Sequence, residues 1–384
     1  MYGYLEGKKR FRRFVGKRGS TVEGLERLRE ELGYFSGKKV FVTGHTGFKG
    51  SWLVAILKEL GSEVFGFSLP PPTNPSLYML ANVSEGIHEK IGDIRDFALL
   101  NKSIKDFQPE VIIHLAAQPL VMEGYRDPIG TYSTNVMGTV NILEAVRRLD
   151  RELTFLNVTT DKVYKNREWF WGYRENEELN GFDPYSNSKS CSELVTQSFN
   201  SSYFKDSVVR ISTARAGNVI GGGDFSANRI IPDCVRSALR KKPIIVRNPD
   251  SVRPYQHVLE PLFAYLLILS KQVKNPSLCG NYNVGPNEGD CLRTSQLVQL
   301  FCHFWGENLS WEAQNIKDSP HEANLLRLDI SKIKSELGWK PVWDAPTAVE
   351  KTVEWSKMWR NSRSTEMEDF VIHQIREYLR DADE

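Results

Sequence analysis

Apolar positions along this chain fall into short strand-like runs that alternate with longer stretches of helical period. Lys39-Val40-Phe41-Val42-Thr43 reads as a buried strand, and Trp52, Leu53, Ile56, Leu57 and Leu60 then recur at helix spacing. Glu63 to Phe67 predicts a second strand, Gly92-Asp93-Ile94 closes a third, and Val111-Ile112-Ile113-His114-Leu115 is a fourth. Thr131 to Arg147 predicts one helix, Thr154 to Val158 a strand, the segment around Tyr185 and Lys189 a helix, and Val208 to Ala214 a further strand. This alternation predicts an α/β fold, a Rossmann-like doubly wound parallel sheet with helices on both faces. In such sheets ligands bind beyond the carboxyl ends of the strands. Past Gly217 the elements shorten and become rich in Gly, Asn, Pro and Arg, which reads as a smaller substrate-holding region. The organisation expected is an extension over 1–36, a dinucleotide-binding domain over 37–216, and a substrate region over 217–384 interleaved with it.

Composition narrows the classes. A net charge of +2 over 384 residues gives no global drive toward nucleic acid or membrane. The longest apolar run, around Leu262 to Leu269, is far shorter than the ~20 residues of a membrane span and reads as a core helix. Cys191, Cys234, Cys279, Cys291 and Cys302 are odd in number and scattered without metal spacing, which fits a reducing cytoplasm, no disulfide framework and no metal. Lys8, Lys9, Arg10, Arg12, Arg13, Lys17 and Arg18 form a basic cluster with no apolar segment behind it, so it is no secretory signal. It reads as a solvated arm, disordered or helical, with Val22, Leu25, Leu28 and Leu32 at helical spacing after it.

The chemistry sits at two loops. Gly44-His45-Thr46-Gly47-Phe48-Lys49-Gly50 joins the first strand to the first helix with GxxGxxG spacing. Gly44 allows the tight turn, Gly47 a close approach to pyrophosphate, and Gly50 close helix packing. The helix N-terminus offers unpaired N–H groups to phosphates. His45 reads as a turn residue. After the second strand come Ser68, Leu69 and three prolines, with neither the aspartate that marks NAD nor the arginine that marks NADP. Thr159-Thr160-Asp161-Lys162 follows a strand, and Tyr185 and Lys189 lie one helical turn apart on one face. A phenol is a weak base near pH 7, and lowering its pKa by ~3 units takes about 4 kcal/mol. An ammonium and a nicotinamide cation beside it would both favour the phenolate. Such a tyrosine takes the proton of a sugar hydroxyl as hydride leaves for the cofactor.

These motifs together resemble the extended short-chain dehydrogenases/reductases, and within them the nucleotide-sugar 4,6-dehydratases. The resemblance is carried by VTGHTGFKGSWL (42–53), PPTNPSLY (71–78), IGDIRD (91–96), HLAAQPLV (114–121), TNVMGT (134–139), TTDKVYKNREWFWGYREN (159–176), DPYSNSK (183–189), RAGNVIGGGDF (215–225) and RPYQHVLEP (253–261). It implies a tightly bound NAD held by Gly44, Thr46, Gly47, Phe48, Lys49, Gly50, Asp93, Ile94, Leu115, Ala116, Ala117, Tyr185 and Lys189. It also implies CDP-glucose as substrate, with Gln118, Asn218, Arg229, Arg253 and His257 around the nucleotide sugar. The cycle implied is oxidation at carbon 4, loss of water across carbons 5 and 6, and return of hydride to carbon 6. Tyr185 takes the hydroxyl proton, Thr160 bridges it to the sugar, and Asp161 is the acid at carbon 6, which requires a raised pKa. Lys162, where many dehydratases carry glutamate, is the expected base at carbon 5. The resemblance further implies a homodimer or dimer of dimers through the segments near Asn135–Arg148 and Tyr185–Phe204. Met122 and Glu123 depart from the more basic stretch expected there. Two other readings stay open: a dehydratase or epimerase for another nucleotide sugar, and a non-catalytic NAD-sensing protein. Asp161 and Lys162 speak against an epimerase, and the intact Tyr185–Lys189 pair speaks against a sensor.

Overall fold

The computed structural model of the chain describes residues 28–314, 325–362 and 364–384. Its centre is a parallel sheet of β1 (Lys39–Thr43), β2 (Glu63–Ser68), β3 (His88–Ile91), β4 (Val111–His114), β5 (Leu153–Thr159), β6 (Val209–Ala216) and β7 (Asn281–Val284). The order across the sheet is β7-β6-β5-β4-β1-β2-β3. The chain winds outward in both directions from β1, so the crevice between the ends of β1 and β4 is the switch point where ligands bind. Every residue of β4 and β5 is buried, as expected of interior strands of a parallel sheet covered on both faces. Edge strand β3, His-Glu-Lys-Ile, is exposed along its length, and its charges blunt the open edge.

Two apolar layers cover the sheet. One packs β1, β4 and β5 against the helix Phe48–Glu59 and the helix Leu259–Lys274. The other packs Phe41, Phe67, Ile112 and Phe155 against the helices Phe97–Phe107 and Gly138–Arg147. The core helix expected around Leu262 is Leu259–Lys274, and it is buried almost all round. Both this helix and β7 come from beyond Gly217, so the C-terminal part of the chain completes the main sheet as well as walling the cavity above it.

The segment Thr131–Arg147 departs from the single helix expected. It runs as Pro128–Tyr132, a wider π-helical stretch Ser133–Met137, and Gly138–Arg147. The widened turn presents Asn135, whose amide donates to the Ser188 hydroxyl at 2.8 Å and whose oxygen accepts from the Gln118 N–H at 2.8 Å. Helical period alone does not reveal such a bulge. At the start of the described chain, Leu32 and Phe35 are buried in the same apolar layer as β1. Glu31 holds Lys271 at 3.0 Å and Lys274 at 2.7 Å. The basic cluster before Val22 lies outside the described residues.

Candidate active site

A cavity of about 1230 Å³ opens along the carboxyl edge of the sheet. One wall is the glycine loop. Gly44 has φ +79°, and a Cβ there would lie 2.8 Å from the Ala116 nitrogen. A Cβ on Gly50 would lie 2.1 Å from the Gly44 carbonyl oxygen, so the helix can seat this close to the turn only without a side chain. No side chain caps the helix Phe48–Glu59, whose first-turn N–H groups are left for a ligand. The Thr43 hydroxyl accepts from Leu115 N and Ala116 N, both at 3.1 Å, and pins the segment Leu115–Ala117 beside the loop. Gly44, Thr46, Gly47, Phe48, Lys49, Gly50, Asp93, Ile94, Leu115, Ala116 and Ala117 all line the cavity. These residues form a cradle that fits a dinucleotide.

Within that wall, some side chains are already engaged. Thr46 donates to the Leu69 carbonyl at 2.8 Å and tethers the end of β2. The Arg95 guanidinium holds the Asp93 carboxyl below its ordinary range. Inside the loop, the His45 ring is buried and bonded to Glu89 at 3.0 Å, a structural position.

The opposite wall carries the acid–base groups. Asp183 caps the helix Pro184–Phe199 by accepting from Ser186 N at 3.0 Å, with Pro184 in the first turn. That start sets Tyr185 and Lys189 on the cavity face, both buried. Lys189 donates to the Val158 carbonyl at 3.0 Å, and burial lowers its pKa to about 8. Burial pushes Tyr185 up to about 12, against the opposing pulls of Thr160 and Arg229. The lowering expected of this phenol is therefore not supplied by the protein alone: desolvation outweighs the neighbouring donors and cations. The charge of an oxidised nicotinamide is the further influence that would favour its phenolate.

Asp161 sits at the end of β5 with 1% of its surface exposed. It accepts from the Thr160 hydroxyl at 2.9 Å and from the Asn218 amide at 3.0 Å. Gly217 presses against this carboxylate so closely that a Cβ there would lie 1.9 Å from Oδ2. Lys162 follows on a short 3₁₀ turn and lines the cavity without a carboxylate within ion-pair distance among the described residues. Lys49 faces the same space and donates to the Tyr265 hydroxyl at 3.4 Å. Burial and the cations Arg229 and Lys189 bring its pKa down to about 7.

The structure thus gathers Thr160, Asp161, Lys162, Tyr185, Lys189, Asn218, Arg229 and Arg253 around one cavity. Arg229 is paired with Asp224 at 3.1 Å. Two expected substrate residues are elsewhere. His257 is fully buried between Trp52 and Trp343, and burial drives its pKa down to about 3. A neutral ring walled in by indoles is a packing group. The Gln118 side chain donates to Thr131 at 2.8 Å and accepts from Leu120 N, so it braces the loop after β4 and does not line the cavity. Sequence reasoning also missed Gly217 and a buried pair behind the site. Arg215 on β6 donates through Nε to both Glu193 carboxylate oxygens at 2.9 Å, and both side chains are fully buried. Its Nη1 donates to Tyr164 at 2.7 Å, in the turn after Lys162. Glu193 lies one turn beyond Lys189 on the same helical face, and that spacing was the available signal.

A family profile described as GDP-mannose 4,6 dehydratase matches residues 41–352. The chain belongs to this family. A CDP-glucose 4,6-dehydratase of Salmonella typhimurium is 46% identical over 332 residues, covering 85% of this chain and 92% of that protein. Among solved structures, a dTDP-glucose 4,6-dehydratase from Streptomyces venezuelae with NAD bound superposes with a TM-score of 0.73 at 22% identity, covering 84% of this chain and 97% of the other. A UDP-glucose 4-epimerase of Thermus thermophilus in complex with NAD gives 0.72 at 25% identity, covering 83% and 99%. Dehydratases and epimerases of nucleotide sugars therefore share this framework.

Proposed function

We propose that this chain is an NAD-dependent hydro-lyase that converts CDP-glucose to CDP-4-keto-6-deoxyglucose. The observation that carries the reading is Asp161, held by Thr160, Asn218 and Gly217 within the cavity that also holds Tyr185 and Lys189. A 4-epimerase needs no acid at carbon 6. The nucleotide is supported by the 46% identity to a CDP-glucose 4,6-dehydratase over most of both chains.

NAD in the glycine-loop cradle supplies the hydride acceptor for carbon 4 and the hydride returned at carbon 6. The chain's own residues handle protons and position. Tyr185 takes the proton of the carbon 4 hydroxyl, with Thr160 as the hydroxyl between phenol and sugar. Lys189 places a cation on that side of the helix and orients the cofactor ribose. The ketone at carbon 4 acidifies the carbon 5 proton, which Lys162 removes. Asp161 gives its proton to the departing carbon 6 hydroxyl. Arg229 and Arg253 hold the diphosphate, for which a guanidinium fork is suited. In this scheme Gln118 and His257 support the walls.

The product is a precursor of deoxysugars in cell-surface polysaccharide such as O-antigen, made in the cytoplasm. No helix among the described residues is long and apolar enough to cross a membrane. A homodimer or dimer of dimers is proposed through the segments near Asn135–Arg148 and Tyr185–Phe204. Met137, Leu194 and Tyr203 expose large apolar surface on those segments.

The test is mass spectrometry after incubation of purified protein and NAD with CDP-, UDP-, dTDP- and GDP-glucose separately. Loss of one water from CDP-glucose alone supports the proposal. Loss from a different nucleotide overturns the substrate, and an isomer of unchanged mass overturns the reaction. Light scattering of the same sample tests the assembly, and a monomer at micromolar concentration would refute it.

A further inference from the structure

The turn that carries Thr160, Asp161 and Lys162 is tied on both flanks to the helix that carries Tyr185 and Lys189. Before the turn, the Val158 carbonyl accepts from Lys189 at 3.0 Å, and the Thr159 hydroxyl donates to Glu193 Oε1 at 2.6 Å. After it, the Val163 carbonyl accepts from the Ser190 hydroxyl at 2.7 Å. The Tyr164 hydroxyl then accepts from Arg215 Nη1 at 2.7 Å and donates to Asn283 at 2.6 Å. Arg215 is paired with Glu193, so one tie on each side of the turn ends on the same buried ion pair.

Arg215 Nη1 also donates to the Glu175 carbonyl at 3.0 Å, and the guanidinium lies 4.9 Å from the centroid of the Tyr164 ring. Tyr164 stacks in turn on Tyr173, with centroids 5.2 Å apart. Neither Glu193 nor Arg215 lines the cavity. Burying an ion pair is weak support for stability, since a packed apolar pair of similar volume often does as well or better. What the ions supply and an apolar pair does not is direction, through donors and acceptors fixed at both ends of the turn. Glu193 also favours the ammonium form of Lys189, against the burial that opposes it.

We propose that Glu193 and Arg215 are positioning residues, which hold the turn of Asp161 and Lys162 in register with the helix of Tyr185 and Lys189. This rests on the roles given to those four residues above and deepens them. In that scheme protons move at neighbouring sugar carbons to and from two different elements. Tyr185 serves carbon 4 from the helix, while Lys162 and Asp161 serve carbons 5 and 6 from the turn. One sugar meets both only if the two elements keep a fixed separation, because proton transfer needs hydrogen-bond reach. The ties act on the residues either side of the triplet, so Thr160, Asp161 and Lys162 themselves remain on the cavity.

The experiment compares full-length wild type, the double change Glu193→Leu, Arg215→Met, and Tyr164→Phe. The double change removes the ion pair without leaving a charge buried. Tyr164→Phe keeps the pair and unties only the far flank of the turn. Each protein is read by urea unfolding, by kcat and KM for CDP-glucose, and by amide hydrogen exchange. In the folded double variant kcat should fall about 100-fold with KM near wild type, the cost of a shift on the order of 1 Å. Tyr164→Phe should show the same split with a smaller loss. Amides of residues 160–164 should exchange roughly 10-fold faster in both, the factor for losing a hydrogen bond to a charged group. Amides of the glycine loop, residues 44–50, should keep wild-type protection. Wild-type kcat in a folded double variant would overturn the proposal, as would a loss confined to KM. Unchanged exchange over 160–164 would overturn it too. So would faster exchange everywhere, glycine loop included, because the pair would then serve the fold as a whole. If the double variant does not fold, Tyr164→Phe decides by the same measurements. If wild type dehydrates no CDP-glucose, the functional reading fails, and the exchange comparison still decides the positioning.

Discussion

Gly217→Ala isolates the placement of Asp161, the proposed acid, from its chemistry. Gly217 has φ outside the left-handed region, so alanine fits the backbone there. The added methyl, however, would lie 1.9 Å from Asp161 Oδ2, where ordinary contact begins at 3.4 Å. The carboxylate must retreat by about 1.5 Å, away from the hydroxyl it serves and out of reach of Thr160 or Asn218. Misplacement on the order of 1 Å costs about 10²-fold in rate, equivalent to about 2.7 kcal/mol of barrier. Overpacking one methyl costs about 1–3 kcal/mol of stability, which a folded domain with about 5–15 kcal/mol survives. The expected outcome is a folded variant with KM near wild type and kcat for water loss reduced about 100-fold. Mass spectrometry during the time course should show a keto-sugar that has lost two hydrogens and kept its water, because oxidation at carbon 4 depends on Tyr185. Urea unfolding of the same sample controls for stability. Unchanged kcat in a variant whose fold is intact would refute the reasoning, since either Asp161 is not the acid or its position does not matter.

Three further outcomes follow from named contacts. Glu193→Gln leaves the fully buried Arg215 guanidinium without its counter-charge and should cost about 3–5 kcal/mol in urea unfolding; the double change Glu193→Leu, Arg215→Met should cost less than the single one, and a larger cost for the double change would show the pair is not what the single variant breaks. Burial holds His257 at about 3, against about 6.5 in an unfolded chain. The unfolded state therefore takes up the proton first: the contribution is complete above pH 6.5 and is lost progressively down to pH 3, about 2 kcal/mol by pH 5. Urea midpoints at pH 8 and pH 5 should diverge more for wild type than for His257→Phe, and equal pH slopes would contradict this. Lys162→Ala should abolish exchange of the carbon 5 proton with solvent deuterium, read by mass spectrometry, while a native exchange rate would remove Lys162 from the role of base.

Much of the site was legible because it is local. The glycine spacing, the i,i+4 pair Tyr185–Lys189 and the Thr160-Asp161-Lys162 triplet each occupy a few consecutive residues after a strand. In a parallel sheet every strand end points to the same edge. Knowing that the segments are strands therefore already places the motifs on one side of the molecule. What the sequence did not show depended on the third dimension. His257 and Gln118 lie in segments that reach the cavity, but their side chains turn into Trp52 and Trp343 or into the loop after β4. A helical repeat over Thr131–Arg147 is compatible with one helix or with a widened turn, and only Asn135's bonds to Gln118 and Ser188 reveal the second.

The sequence by itself determined the alternation of elements, the glycine turn, and the residue types proposed to move protons, because periodicity and local spacing are properties of neighbouring residues. Tertiary structure alone decided that Gly217 presses on Asp161, that Arg215 ties the sheet to the helix of Tyr185, and that Arg247 donates to Asn228. Each of these joins groups twenty or more residues apart in the chain or on separate elements. Desolvation, which holds Tyr185 near 12 and Lys49 near 7, is likewise set by everything packed around a group and by nothing beside it in the sequence.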